Sequence, residues 1–267
     1  MLFSYSQINQ YVCCPRSYRY RYLDGWGERD SRPAKSFGCC FEKALAAYFS
    51  GGDCGAVFFK EWAAFREAPF EYKTGESWDH LLQQGMRLLE RFAREGRVRV
   101  TSPRQNLQVK LLRNLPGGHE FVAYLDALGE LDGQRRILDW KTTTSRYVEA
   151  PRELLSLDPQ LICYSWMTGI SEVALAVFIR KRQPEIQYLE ASISAVQRKE
   201  FGELVEATIG QIEAAQFLPH SGIRFPPNGC LSCSHLGLCL ENRELIELRL
   251  MRKSGASNLV WVDELVG

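Results

Sequence analysis

The sequence predicts an α/β protein, a mixed central sheet flanked by helices, and three patterns in the chain predict it. Through the first third, apolar residues recur at helical spacing: Phe37, Phe41, Leu45 and Phe49, then Phe58, Trp62 and Phe65, then Trp78, Leu81, Leu82, Leu88, Leu89 and Phe92. From Leu107 the pattern changes to short β-rich runs broken by turn residues. Beyond Asp158, helix and strand signals alternate. With 267 residues, 45% of them apolar and 24% charged, the chain can bury a large core and has the make-up of an ordered soluble protein.

The elements follow in order. Ser4 or Ser6 can cap a short helix that must stop before Pro15. Runs 107–113, 120–130 and 135–141, separated by Pro116-Gly117-Gly118 and Asp132-Gly133, read as consecutive antiparallel strands. Asp158-Pro159 is an N-cap followed by proline at the first helical position, opening a helix that runs to about Gly169. Strands over 172–179 and 185–192 follow, then a long helix over about 194–215.

Charge and composition exclude several classes. Thirty-three basic against 32 acidic residues leave a net charge of +1, so binding to a polyanion must use a local groove rather than a global field. The apolar stretch at 173–179 is far too short to span a bilayer, and residues 1–7 lack the charged start and apolar run of a secretory signal. The expectation is a cytoplasmic protein with no membrane partner. Arg16-Ser17-Tyr18-Arg19-Tyr20-Arg21-Tyr22 interleaves cations with aromatic rings, which suits phosphates and unstacked bases and makes Arg16, Arg19, Tyr20 and Tyr22 candidates for nucleic-acid contact. A helix with one solvated Arg face and one buried Tyr face accounts for the same pattern. The basic run Arg180-Lys181-Arg182 reads as a solvated face or a phosphate contact.

The sharpest feature surrounds Asp132-Gly133, the strongest short hairpin signal. A two-residue loop centred there sets residues equidistant from the turn opposite one another, so Asp126 faces Asp139, and Lys141, two positions further, projects on the same face. The neighbours Val122, Leu125, Leu128, Ile137, Leu138 and Trp140 are apolar on both faces, which marks a buried hairpin. Like charges opposed in a buried sheet are destabilising unless a cation lies between them or one carboxyl keeps its proton. A divalent metal resolves the conflict, and oxygen donors select a hard ion, Mg²⁺ or Mn²⁺, able to activate water and bear charge on a phosphodiester. An internal Asp–Lys ion pair is the alternative.

Nine cysteines, an odd number, in a chain read as cytoplasmic point to metal ligands before disulfides. Cys230-x2-Cys233-x5-Cys239 supplies three thiolates, with Cys13 and Cys14 as candidates for the fourth, and either zinc or an iron-sulfur group suits such a set. Cys39, Cys40, Cys54 and Cys163 sit in apolar helical contexts and read as small buried hydrophobes; His235, inside the cysteine loop, reads as a bystander.

These residues resemble a family. Asp126, a hairpin, then Asp139-Trp140-Lys141 looks like the core of the PD-(D/E)XK nucleases, and Gln160-x3-Tyr164 resembles the motif that follows it in RecB-type members. Gly38-x3-Glu42 stands where those members usually carry Gly-x3-His, and Ala123 stands where a glycine is common. Cys14-Pro15 with the C-terminal cysteine triplet resembles the 4Fe-4S staple of AddB-like nucleases and CRISPR-associated RecB-like exonucleases, so the likeness covers about residues 4–240.

The resemblance implies one nuclease domain over 1–267: a restriction-endonuclease-like core at 36–216 and an iron-sulfur-stapled helical cover from 1–35 and 217–253. It implies that Glu42, Asp126, Asp139 and the Trp140 carbonyl hold Mg²⁺ or Mn²⁺, that Lys141 positions the water, and that Gln160 and Tyr164 support the site. Cys14, Cys230, Cys233 and Cys239 would bind the 4Fe-4S cluster. The implied activity is exonucleolytic trimming of DNA ends or single-stranded overhangs, alone or with a helicase or CRISPR integration complex. A noncatalytic iron-sulfur DNA-binding or scaffold subunit is the alternative. Residues 254–267, with Trp261 between two valines, could pack on the body or bind a partner.

Overall fold

The computed structural model describes residues 1–29, 32–219 and 228–253; the Pro226-Pro227 pair that opens the cysteine loop and the 254–267 tail lie outside the described residues. The first elements are β1 (Leu2–Ser4), α1 (Tyr5–Cys13), α2 (Pro15–Tyr18), a π-helical turn (Arg19–Leu23), β2 (Trp26–Glu28), α3 (Pro33–Phe49), α4 (Cys54–Ala63) and α5 (Trp78–Glu95). Next come β3 (Val98–Arg99), α6 (Pro103–Asn106), β4 (Leu107–Leu115), β5 (His119–Leu131), β6 (Gln134–Thr143), a 3₁₀ turn (Arg152–Leu157), α7 (Pro159–Thr168), β7 (Glu172–Ile179) and β8 (Glu185–Ser192). Then follow α8 (Ala195–Glu213), α9 (Asn228–Leu231), α10 (Leu236–Cys239), α11 (Arg243–Arg249) and β9 (Leu250–Arg252).

Local chemistry sets the boundaries. Ser4 caps α1 in a reciprocal capping box with Gln7, and the helix ends at Cys13, ahead of Pro15. Asp158 caps α7, accepting from the N–H groups of Gln160 (2.9 Å) and Leu161 (3.0 Å), and Gly169 closes it at φ 77°. Asp132 (φ 51°) and Gly133 (φ 79°) both take left-handed backbone, as a tight hairpin turn requires. The strands missing from the sequence reading, β1, β2, β3 and β9, are two or three residues long and too short to display a period.

The chain divides into two compact units. The larger, Ser31–Leu112 with Ala123–Phe201, holds most of a mixed sheet in the order β5, β6, β7, β8, with β3 pairing with β5. β5 and β6 are antiparallel, β6 and β7 parallel, β7 and β8 antiparallel. Helices α3 and α5 cover one face through aromatic contacts: Phe41 on Phe178 at 4.7 Å, Phe92 on Phe178 at 5.4 Å and Phe49 on Trp140 at 6.0 Å. Phe37, Leu45, Phe58, Trp62, Leu81 and Leu88 fill the core between these helices and α4. Aromatic burial of this kind is the main favourable term holding the sheet to its helices.

The smaller unit comprises Met1–Asp30, Arg113–Val122 and Gly202–Gly267. In it β1 runs parallel to the start of β5, Phe3 opposite Phe121, and β2 pairs antiparallel with β9. The Tyr11 hydroxyl donates to the Gln216 carbonyl at 2.5 Å, and Tyr18 stacks on Phe217 at 6.3 Å.

Candidate active site

The hairpin register follows the turn. Leu131 pairs with Gln134 and each earlier residue with the matching later one, down to Ala127 with Leu138. The next positions are Asp126 and Asp139, and there the ladder changes character. Asp126 turns its carboxylate onto the main chain, where Oδ2 accepts from the Trp140 N–H at 2.7 Å. Asp139 is 1% exposed, and neither of its oxygens receives a well-directed hydrogen bond. The Lys141 ammonium approaches its Oδ2 at 2.7 Å as an ion pair, so the internal Asp–Lys pairing weighed as the alternative is present.

Helix α7 completes this group. Lys141 Nζ donates to Gln160 Oε1 at 2.8 Å, and Gln160 Nε2 donates to the Tyr164 hydroxyl at 2.6 Å. Tyr164 is buried, and the charges of Asp139 and Asp126 reach it. The Asp158 cap explains how the amide is placed, because Gln160 is the second residue of a helix whose start that cap fixes.

Glu42 arrives from the other side. On α3, Gly38 and Glu42 are four residues apart and share a face. A Cβ at Gly38 would stand 3.5 Å from Thr142 Oγ1, which shows how closely this face approaches β6. Glu42, Ala46, Leu107, Gln108, Asp126 and Trp140 line a cleft of about 10 Å³, room for roughly one water-sized particle. Burial pushes the Glu42 carboxyl up to about 7, with the Asp139 charge adding to the shift and Lys141 opposing it. Asp126 and Asp139 are also raised, chiefly by burial. Burial pulls Lys141 down, but the carboxylates of Asp139 and Asp126 outweigh it and its net shift is upward. The acids therefore crowd one another electrostatically, and the lysine stays charged.

Whether a hard cation suits this group can be judged from its donors. Among the described residues no three His, Cys, Asp or Glu side chains converge into a ready-made metal cage. The chemistry still fits Mg²⁺ or Mn²⁺: the donors are oxygens, Asp139 has both oxygens without directed bonds, and the small cleft adjoins Glu42, Asp126 and Trp140.

The cysteine set lies in the smaller unit, and among the described residues no disulfide joins any two cysteines. Cys233 receives a hydrogen bond from Ser17 and one from the His235 N–H, and burial pushes its thiol up, with Cys14 and Cys239 near enough to add to the shift. The Tyr20 hydroxyl bonds to Cys239, and the Cys233 N–H donates to the Cys230 carbonyl at 3.2 Å. His235 is buried with Nδ1 2.9 Å from Ser17 Oγ, and burial lowers its pKa. These sulfurs suit a soft metal group by donor type, but no three of them gather in the described residues. Cys40 and Cys163 are buried as expected, whereas Cys39 and Cys54 are half-buried.

Of the basic and aromatic segment, Arg16, Arg19 and Tyr20 line one open cleft of about 460 Å³ with Ala215, Phe217 and Leu218. Tyr22 instead tilts against Tyr18 at 5.0 Å, with its hydroxyl buried. Arg180 is buried over the Phe37 ring at 4.8 Å and Lys181 pairs with Glu185 at 3.3 Å, so the 180–182 run is not the uniform solvated face its charges suggest. The sequence marked Asp158 as a helix cap but not as a charge that reaches Asp139 and Lys141, and it gave no sign of the pairing between Gln187 and the Tyr147 main chain.

A mixed sheet bearing opposed aspartates and a lysine at the end of a buried hairpin is the framework of a nuclease core. The model of the PD-(D/E)XK nuclease superfamily matches residues 2–240, and the chain belongs to that superfamily. Among solved structures, a protein from Eubacterium rectale described only provisionally as an exonuclease is similar at 15% identity. The match covers 82% of this chain and 83% of that one, with a TM-score of 0.48. The protein SSO0001 is similar at 16% identity over 89% of this chain and 93% of its own, with a TM-score of 0.35. No curated protein matches the chain.

Proposed function

We propose that this member of the superfamily is a metal-dependent deoxyribonuclease that trims DNA ends or single-stranded overhangs. The observation that carries the reading is the linked set Asp126, Asp139, Lys141, Gln160 and Tyr164, with Glu42 opposite it across the cleft. Glu42, Asp126, Asp139 and the Trp140 carbonyl would hold Mg²⁺ or Mn²⁺, which when bound lowers the pKa of water and offsets charge on the phosphodiester. Lys141, charged and half-buried, positions the attacking water and stabilises the developing negative charge. Gln160 aims the ammonium, and Tyr164 fixes Gln160.

We further assign the chain to the RecB-like branch, with Cys14, Cys230, Cys233 and Cys239 as the set for a 4Fe-4S cluster in a helical cover formed by 1–35 and 217–253, and with 36–216 as the nuclease core. Its role there is to tie the two ends of the chain together. Arg16, Arg19 and Tyr20 are the stronger candidates for DNA contact, since Tyr22 is engaged in packing. Work on a DNA end fits CRISPR adaptation, recombinational repair with a helicase, or phage DNA metabolism. Among the described residues no helix is long and apolar enough to cross a membrane. The test is degradation of end-labelled linear and of circular DNA, single-stranded and duplex, in Mg²⁺, Mn²⁺ or chelator. Loss of the linear forms alone, only with metal, supports the reading; equal attack on circles, or cleavage in chelator, overturns it.

A further inference from the structure

Gln187 is a buried amide in the middle of β8. Lys141 pairs with Val177 across β6 and β7, and Val177 pairs with Gln187 across β7 and β8. Residues in one cross-strand row project from the same face, so Gln187 shares the face that carries Lys141 and Asp139, two strands away. A polar amide buried there needs partners. It finds them in the backbone of Tyr147: the Tyr147 N–H donates to Gln187 Oε1 at 2.9 Å, and Gln187 Nε2 donates to the Tyr147 carbonyl at 2.9 Å. The same Nε2 also donates to Glu149 Oε1 at 2.6 Å. A side chain thus stands in for a strand edge and pins the segment that follows β6.

The Tyr147 main chain is fixed, but its side of the segment is open. Tyr147 is 38% exposed, and Val148, Leu154 and Leu157 beside it are more so. These four, with Asp158, line a groove of about 1030 Å³ on the larger unit. Three arginines also line it, but Arg97 is paired with Asp132, Arg136 with Glu172 and Glu190, and Arg146 with Glu149 and Glu185. Its cations are matched by acids of this unit, Glu149, Glu172 and Glu190 of the lining among them, and Tyr147, Val148, Leu154 and Leu157 give it an exposed aromatic and aliphatic part. Such a surface suits the faces of nucleobases better than phosphates. Leu175, which lines this groove, pairs with Asp139 across β6 and β7, so the groove opens on the sheet face that carries Asp139 and Lys141, and Asp158 both lines it and caps the helix that carries Gln160.

We propose that Tyr147 contacts the substrate, its ring stacking on the nucleobase next to the phosphodiester presented to Lys141, and that the groove takes the unstacked bases of a single-stranded DNA end. Gln187 is the positioning residue that holds the ring there. The proposal rests on the nuclease reading and adds its substrate: bases stacked within a duplex have no free face to offer.

The test is steady-state cleavage of end-labelled single-stranded oligonucleotides by the full chain and by Tyr147→Phe, Tyr147→Ala and Gln187→Ala. Tyr147→Ala should raise KM about tenfold with kcat within about twofold, Tyr147→Phe should restore the wild-type KM, and Gln187→Ala should fall between. An oligonucleotide abasic at the flanking position should raise KM for the wild type and Tyr147→Phe but add nothing for Tyr147→Ala. An active wild type with an unchanged KM in Tyr147→Ala, or an equal abasic loss in every variant, overturns the proposal alone. A wild type that cleaves no DNA in either metal overturns the nuclease reading and this proposal together. Binding of the same oligonucleotides in chelator keeps the comparison readable if a variant turns over slowly, and equal affinities of wild type and Tyr147→Ala there also count against it.

Discussion

The main-chain N–H of Trp140 donates to the side chain of Asp126, 2.7 Å away, so a carboxylate takes over a main-chain acceptor's task just where the β5–β6 ladder ends. The exchange explains how two acids can stand at adjoining positions of a buried hairpin. One is anchored by a directed bond, and the other, Asp139, is left facing Lys141 with no directed bond of its own. A site so arranged gives up stability for chemistry.

The first prediction follows from that anchor. Asp126→Asn keeps an oxygen for the Trp140 N–H and removes one of the crowded charges. At pH 8 in chelator the variant should melt at or above the wild-type temperature, yet lose metal-dependent cleavage. Thermal melts beside a degradation assay check this; a destabilised but active variant would contradict it.

Lys141→Ala should behave in the opposite way. It leaves the Asp139 carboxylate buried without its cation, which costs about 3 kcal/mol in the metal-free protein. Cleavage should vanish while affinity for DNA stays largely intact, since the ammonium acts on the water and the developing charge. Chemical denaturation with and without Mn²⁺ measures the first effect, and the gap should narrow when the metal is present.

Glu42 gives a pH signature. Its carboxyl ionises near 4.5 in an unfolded chain and near 7 in the fold. Between those values the folded state holds the extra proton, so metal-free stability falls as pH rises through that window. Metal affinity should rise over the same range as the proton leaves. Glu42→Gln should flatten both profiles, followed by melting and Mn²⁺ titration from pH 5 to 8. Glu42→Ala should lose activity, and Glu42→His should keep part of it, better in Mn²⁺ than in Mg²⁺, because nitrogen donors suit manganese more. Equal turnover by all three proteins would remove Glu42 from the site.

The cysteine assignment predicts brown protein when purified without oxygen, with an absorption shoulder near about 400 nm and about four irons per chain. Cys14→Ala should lose the colour and much of the solubility, and Cys13→Ala should not. Colourless protein holding one zinc would refute the cluster.

Much of this was legible in the sequence because the signals were local. Asp132-Gly133 set the hairpin register, so the relation of Asp126, Asp139 and Lys141 could be read without coordinates; Asp158-Pro159 and Gly169 bounded α7, while Gln160 entered only through the resemblance to a family motif. The Asp126 bond to Trp140 could not, because it replaces a ladder bond that periodicity would supply. Tyr147 and Gln187 were invisible for a different reason: their pairing joins a loop to a strand 40 positions on and leaves no pattern in either. Tyr22 shows the limit of composition, since cations alternating with aromatic rings describe internal packing as well as a binding face.

The most direct test of the account is the rate at which Asp139→Asn degrades end-labelled single-stranded DNA in saturating Mn²⁺ beside the wild type. The account predicts a fall of at least about a thousandfold, on the order of 4 kcal/mol of lost transition-state stabilisation. A rate equal to that of the wild type would contradict it.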